Sequence, residues 1–181
     1  MKLHLGCGRR YLDGYVHIDI NKFDHIDYYA EVHNLSFIND NVVEQIYASH
    51  VLEYYDSEEV EMVLLEWKRV LKPGGELMIA VPNFDSLIKV YDLTNDISKV
   101  IGPIIGAWKL SNGNKIFHKL LFDFKSLKSL LEKVGFTNVD YWDWKQFIHD
   151  FPDFDDHSQA YFPHMDKENG IHISLNLKCH K

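Results

Sequence analysis

Hydrophobic and polar positions alternate in two rhythms along the chain. Residues 2–5 and 15–20 are short, apolar and partly β-branched, each closed by Gly or by Asp and Asn, and both read as strands. A third, weaker strand is expected near 28–32. The run EQIYASHV, 44–51, begins as a strand. From Asp56 onward, Val60, Val63, Leu64, Trp67, Val70 and Leu71 recur at helical spacing and share one face. That helix stops at Lys72, Pro73, Gly74 and Gly75: a cation in the last turn, a proline that cannot continue the ladder, then turn glycines. ELMIAVP directly after it is a buried-strand run. FKSLKSLLEKVG repeats the helical rhythm and ends on Gly135. Residues 136–144 and 171–179 are two further strands.

Strands alternating with helices predict a mostly parallel sheet covered on both faces. With 181 residues, the chain suits a single domain, 1–181. Two segments stand outside that core. Residues 83–118 are expected to form a small helical lid, with Gly102 and Pro103 as a break and Trp108 and His118 as candidates to face a pocket; a helix pair serving only the core is the alternative. Residues 145–170, between the last two strands, are expected to overhang the ligand face. They hold His149, Asp150, Asp153, Asp155, Asp156, His157, Tyr161 and His164 among Phe147, Phe151, Phe154 and Phe162. Acidic and aromatic residues together suit a cationic, sugar-like or amine acceptor; a solvated acidic loop anchored by aromatics is the alternative reading.

Composition narrows the function classes. Apolar residues at 46% and charged ones at 25% are those of a chain that folds throughout. A formal charge of -8 makes nucleic acid an unfavoured partner, because phosphate binding needs clustered Lys and Arg. No leader pattern and no apolar run of roughly 18 residues is seen, so no membrane span is expected and the chain reads as cytoplasmic. Cys7 and Cys179 lie far apart without CxxC spacing, and the late His and Asp lack ligand spacing, so neither a disulfide nor a metal site is expected.

Four blocks then stand in a telling order: LHLGCG (3–8), VHIDI (16–20), IYASHVLEY (46–54) and RVLKPGGELMIAVP (69–82). Together they resemble the class I S-adenosylmethionine-dependent methyltransferases, in the branch of small "LGCG…VLEH…LKPGG" proteins. The likeness spans roughly 2–136 and the last strand. It implies a Rossmann-like α/β fold: a seven-stranded, mostly parallel sheet with an antiparallel last strand and helices on both faces. It also implies S-adenosylmethionine as cofactor, held at the carboxyl ends of the parallel strands.

The resemblance assigns roles to residues. Gly6 and Gly8, with Cys7 between them, would let the backbone approach the methionine and ribose where a Cβ would intrude; a plain tight turn is the alternative. Asp19, at the end of the neighbouring strand with Ile20 beside it, would accept both ribose hydroxyls; a strand-end cap is the alternative. Glu31 and Val32 match positions near the adenine amino group, and a surface Glu is the competing reading. Ser49 and His50 would line the methionine end, although Ser49 also suits a helix cap. His50 is the best-placed group to take a proton from an acceptor, with His118 next; a packed histidine at a helix start is the alternative. Glu53 and the KPGG turn read as structural.

Three departures stand out. His4 occupies the place of an acidic residue that faces the cofactor's amino group in many relatives. Arg10 replaces the usual third glycine, and the connection to the second strand is too short for a full helix. A loop or single turn is therefore expected, with Arg9, Arg10 and Tyr11 near the cofactor carboxylate or at the rim. Relatives also carry helices ahead of the first strand, so cover for the cofactor is expected from the two extra segments. Methyl transfer from a sulfonium needs alignment and exclusion of water more than a dedicated base. The expected function is methyl transfer to a small-molecule or sugar-containing acceptor, against the alternative of a catalytically inactive cofactor binder or scaffold. A nicotinamide oxidoreductase ranks lower, since GxGxxG would need a glycine at Tyr11.

Overall fold

The computed structural model describes Met1–Lys181. In chain order the elements are β1 Lys2–Leu5, β2 Val16–Asp19, β3 Tyr28–Tyr29, β4 Val43–Ser49, α1 Val60–Val70, β5 Leu71–Pro82, α2 Phe84–Thr94 and α3 Ile101–Ile105. They continue with β6 Trp108–Lys109, β7 Lys115–Ile116, α4 Phe124–Val134, β8 Thr137–Tyr141, α5 Trp144–Asp150, β9 Tyr161–Phe162, β10 Ile171–His172 and β11 Ser174–His180. Seven strands form one sheet in the order β3-β2-β1-β4-β5-β11-β8. The pairs from β3 to β5 are parallel, and β11 runs antiparallel to both β5 and β8. The expected sheet, with its reversed last strand, is therefore present. No helix is long and apolar enough to cross a membrane.

Alternation along each strand divides the core in two. Leu3, Leu5, Ile46, Ala48, Leu77, Ile79, Leu175 and Leu177 face α1 and α4, whose Val63, Leu64, Trp67, Leu127 and Leu131 are sealed against them. Tyr47, Met78 and Ala80 point the other way and meet Leu12, Tyr15, Trp142, Trp144 and Phe154. This second face is covered by α5 and the irregular chain around it. Phe147 stacks flat on Tyr47 with ring centroids 4.9 Å apart, and Phe151 and Phe154 close around them. The segment expected to overhang the ligand face thus spends most of its aromatics on the core. The physical reason lies in the connection from β1 to β2, which contains no helix and leaves that face of the sheet for another part of the chain to cover.

Other expectations change in detail. Lys72 to Gly75 form an irregularity inside β5, where the register with β4 shifts between Val43 and Gln45, rather than a separate turn. Gly102 and Pro103 lie within α3, not between helices. A proline is tolerated there because first-turn N–H groups have no helical partner in any case. The segment 83–118 also holds an antiparallel hairpin, β6 with β7, which helical periodicity does not foreshadow. Leu87, Val90 and Val100 form a small core that Phe162, Ile171 and Ile173 of the later chain pack against.

Candidate functional site

The strand tips gather where β1, β2, β4 and β5 end. Asp19 closes β2 with only 4% of its surface exposed, and both its oxygens are engaged by backbone donors. The N–H of Gly8 donates to Oδ2 at 2.8 Å and the N–H of Asn21 donates to Oδ1 at 2.7 Å. One carboxylate therefore ties the β1 loop to the β2 loop and is held rigid by two charge-assisted bonds. Ile20 beside it leaves an exposed apolar side chain at the same tip.

Gly6 and Gly8 both adopt left-handed backbone, with φ of 62° and 55°. At Gly6 the close approach is made by the protein itself: a Cβ there would stand 2.4 Å from Cγ2 of Val51. At Gly8 a Cβ would lie 3.5 Å from Cζ2 of Trp108, so the hairpin's indole lies over this glycine. The hairpin is pinned by the N–H of Ser111, which donates to Oδ1 of Asn21 at 2.7 Å. Between them runs a cavity of about 450 Å³ lined by Arg9, Asn21, Phe23 and the hairpin residues 108–111. Trp108 was a pocket candidate, and it reaches the strand tips; Arg9 stands at the rim as expected.

Several buried polar atoms here have no partner within the protein: Nδ2 of Asn21, Oγ of Ser49, Oε2 of Glu53 and Oδ1 of Asn83. They sit at or just beyond the ends of β2, β4 and β5. Buried polar groups are nearly always paired, so these exceptions leave donors and acceptors free for water or a ligand at this edge of the sheet.

Glu53 is the residue that sequence reasoning missed. It was read as a structural carboxylate, yet it is fully buried between the two candidate bases. Its Oε1 lies 3.1 Å from Nδ1 of His50 and 3.8 Å from Nε2 of His118. The signal available was the His-x-x-Glu spacing in HVLE, which brings the two side chains together in one turn. His50 itself holds a left-handed φ of 56°, rare for a residue with a Cβ, while its N–H donates to the Ala80 carbonyl at 2.8 Å. His157 of the late segment comes within 5.3 Å of the His50 ring, and its pKa is lowered by burial and then by His50.

Other candidates are placed elsewhere. His4 is sealed among Tyr47, His17 and Phe154, on the second face of the sheet; burial first, and then the neighbouring histidines, hold its pKa well below the ordinary value. It faces no open crevice, because it alternates with Leu3 and Leu5 along β1. Cys7 is buried with its thiol pushed up by burial and by Asp19, 4.0 Å from Nε2 of His25. Val32 is a core residue whose carbonyl accepts from the Trp67 indole at 2.9 Å, and Glu31 stands outside, 3.2 Å from His33. β3 ends at Tyr29, so both fall in the turn that packs beneath α1 instead of at a strand tip. Asp156, offered as part of an acidic acceptor site, is buried and accepts from the Tyr47 hydroxyl at 2.7 Å.

Residues 17–79 match the family model described as "Methyltransferase domain". A ubiquinone/menaquinone biosynthesis C-methyltransferase of Blochmanniella pennsylvanica is 32% identical over 120 residues, which are 62% of this chain and 45% of that protein. A S-adenosylmethionine-dependent methyltransferase structure from Methanosarcina mazei superposes with a TM-score of 0.61 at 19% identity, covering 99% of this chain and 91% of that one. The chain is thus similar to methyltransferases over its first half, and its fold is the one that S-adenosylmethionine-dependent methyltransferase structures share.

A second structural neighbour of the family, the Burkholderia thailandensis 1,6-didemethyltoxoflavin-N1-methyltransferase, was solved with 1,6-didemethyltoxoflavin and S-adenosylhomocysteine bound. Its TM-score is 0.59 at 13% identity, over 99% of this chain and 70% of that one. The chain spans less than half the length of the curated relatives it matches, 45% and 35%. Against the family pattern, the residues that fit a nucleoside cofactor are Asp19, Gly8 and the unpartnered Asn21 and Ser49. His4, Glu31 and Val32 do not join them.

Proposed function

We propose that the protein binds S-adenosylmethionine at the tips of β1, β2 and β4 and transfers its methyl group to a small-molecule acceptor. The observation that carries this reading is a rigidly held Asp19 at the strand tips, with the Asn21 amide and the Ser49 hydroxyl left unpartnered at the ends of β2 and β4. Bound S-adenosylmethionine supplies a methyl carbon already activated by its sulfonium. Asp19, fixed by Gly8 and Asn21, retains lone pairs for the vicinal hydroxyls of a ribose. The Asn21 amide and the Ser49 hydroxyl offer the donor and acceptor that the protein itself leaves unused. Trp108 and the hairpin must shift outward for a ligand to reach Gly8 and then exclude water behind it. A hydroxylated ring or sugar is the acceptor class favoured: the similar curated proteins are named for quinone biosynthesis.

A second reading, a cofactor binder without transfer, is favoured by the indole that lies over Gly8. Calorimetry with S-adenosylmethionine and S-adenosylhomocysteine tests both. Binding that is lost in Asp19→Ala supports the shared site, and absence of binding to either compound overturns both readings. Formation of S-adenosylhomocysteine across a panel of quinol, sugar, amine and carboxylate acceptors then separates enzyme from binder.

A further inference from the structure

Large apolar side chains left in water gather in one part of the chain. In the 3₁₀ turn Ile97–Lys99 and in α3, Val100 and Ile104 turn inward to the small core, while Ile97, Ile101 and Ile105 recur every fourth residue and are exposed. That spacing puts the three isoleucines on one side, away from the core. The N–H of His118 donates to the Ile105 carbonyl at 2.8 Å, which brings exposed Phe117 beside the same apolar row. In the hairpin, Trp108 opposes Ile116 and Lys109 opposes Lys115. Side chains alternate across a strand, so with Trp108 over Gly8 the two lysines, and Phe117 two positions after Lys115, face outward. One surface therefore carries the apolar row and the lysine pair together.

Charge sets this surface apart from the rest of the molecule. The formal charge of the chain is -8, yet from 97 to 122 there is no Asp or Glu, only Lys99, Lys109, Lys115 and Lys119. Lys99 lies 3.9 Å from Asp96, and Lys119 pairs with Glu59 at 2.8 Å and Asp56 at 3.5 Å. Lys109 and Lys115 have no carboxylate within 4.0 Å, although like charges directly opposite across two strands cost stability unless an anion offsets them. Lys22 stands next to the hairpin's turn, its N–H 3.4 Å from Oγ of Ser111. What covers this face must be apolar and anionic at once. A second copy of the chain is not: a twofold contact pairs a patch with itself, and lysine would meet lysine. Nucleic acid offers phosphate but no apolar depth for Ile101 and Ile105. A bilayer with acidic headgroups offers both.

We propose that this face docks on an anionic membrane surface, the isoleucine row and Phe117 entering the headgroup region and Lys109 and Lys115 meeting lipid phosphates. The contact is peripheral, since no helix is long and apolar enough to cross a membrane. The other side of the same hairpin covers Gly8, so the docked face borders the strand tips. The inference goes beyond methyl transfer and does not depend on it.

Co-sedimentation of the intact chain with vesicles of equal parts phosphatidylglycerol and phosphatidylcholine tests it, against vesicles of phosphatidylcholine alone. Binding is expected to the acidic vesicles and to fall on the order of tenfold or more on the neutral ones. Lys109→Gln with Lys115→Gln should weaken binding on the order of thirtyfold, roughly five- to sixfold for each lysine. Ile101→Ser with Phe117→Ser should weaken it on the order of tenfold. All four side chains are exposed, so the melting temperature stays near that of the wild type. Lys125→Gln with Lys178→Gln, the same change of charge on α4 and β11, should leave binding nearly unchanged. No binding of the wild type to acidic vesicles, or an equal loss in this control pair, overturns the proposal. So does a dimer in light scattering that Ile101→Ser with Phe117→Ser dissociates, because a second copy then covers the face. Binding of a duplex oligonucleotide through the lysine pair, with vesicles ignored, overturns it as well. Calorimetry with S-adenosylhomocysteine needs no vesicle, so a failure there removes the methyl-transfer reading and leaves this one standing.

Discussion

Gly6→Ala probes whether the glycine of the first loop serves the ligand or the protein's own packing. The new methyl meets two penalties. A residue with a Cβ at φ 62° pays about 1–2 kcal/mol for the left-handed backbone. The same methyl stands 2.4 Å from Cγ2 and 3.2 Å from Cγ1 of Val51, an overlap that costs about 1–3 kcal/mol as overpacking. The expected loss is about 2–5 kcal/mol, a large part of the roughly 5–15 kcal/mol that holds a typical domain together. Val51→Ala alone removes buried methyl groups and costs about 1–3 kcal/mol. In the double variant the overlap is gone and the added methyl fills the space left by the valine. The pair should therefore be less destabilised than the sum of the singles by about 1–3 kcal/mol, with the backbone penalty remaining. Urea titrations at constant slope measure the cycle. Singles that add to within about 0.5 kcal/mol would refute the steric argument. The double variant also carries a functional answer: if stability returns while affinity for S-adenosylmethionine does not, the ligand too lies against Gly6.

Three other outcomes follow from the structure. Tyr47→Phe removes the only donor to Oδ2 of buried Asp156 and should cost about 1–3 kcal/mol in chemical denaturation; an unchanged midpoint would show that the late segment is not anchored there. Burial lowers the pKa of His4, His17, His157 and His172, so these rings stay neutral in the folded chain while their unfolded counterparts take up protons. The unfolded state then binds more protons, and the melting temperature should fall as pH drops through about 6.5; a flat or rising profile would contradict the assignment. Trp108 packs over Gly8, so S-adenosylhomocysteine binding should change the intrinsic emission, and Trp108→Phe should remove most of that change; an identical response in the variant would place the hairpin outside the site.

Periodicity made the central sheet and the helices α1 and α4 legible, because apolar spacing follows directly from which face each element buries. Asp19 was singled out through the resemblance, and the structure places its carboxylate at the end of β2, accepting from the N–H groups of Gly8 and Asn21. The hairpin over Gly8 was not: its strands are two residues each and held by side chains distant in sequence, as between Ser111 and Asn21. His4 was misread because alternation along β1 says only that it opposes Leu3 and Leu5, not what covers the opposing face.

From the linear order of residues alone came the fold class, by periodicity and by resemblance together, and, through the resemblance, the expectation of a strand-tip site with His50 and His118 as candidates. Only the tertiary structure decided that Glu53 joins those two histidines, that the late aromatics cover the sheet instead of the ligand, and that Val51 is what Gly6 makes room for. Each of these is a contact between distant segments or a choice of which face a side chain meets, and burial in three dimensions, unlike periodicity, leaves no trace in spacing along the chain.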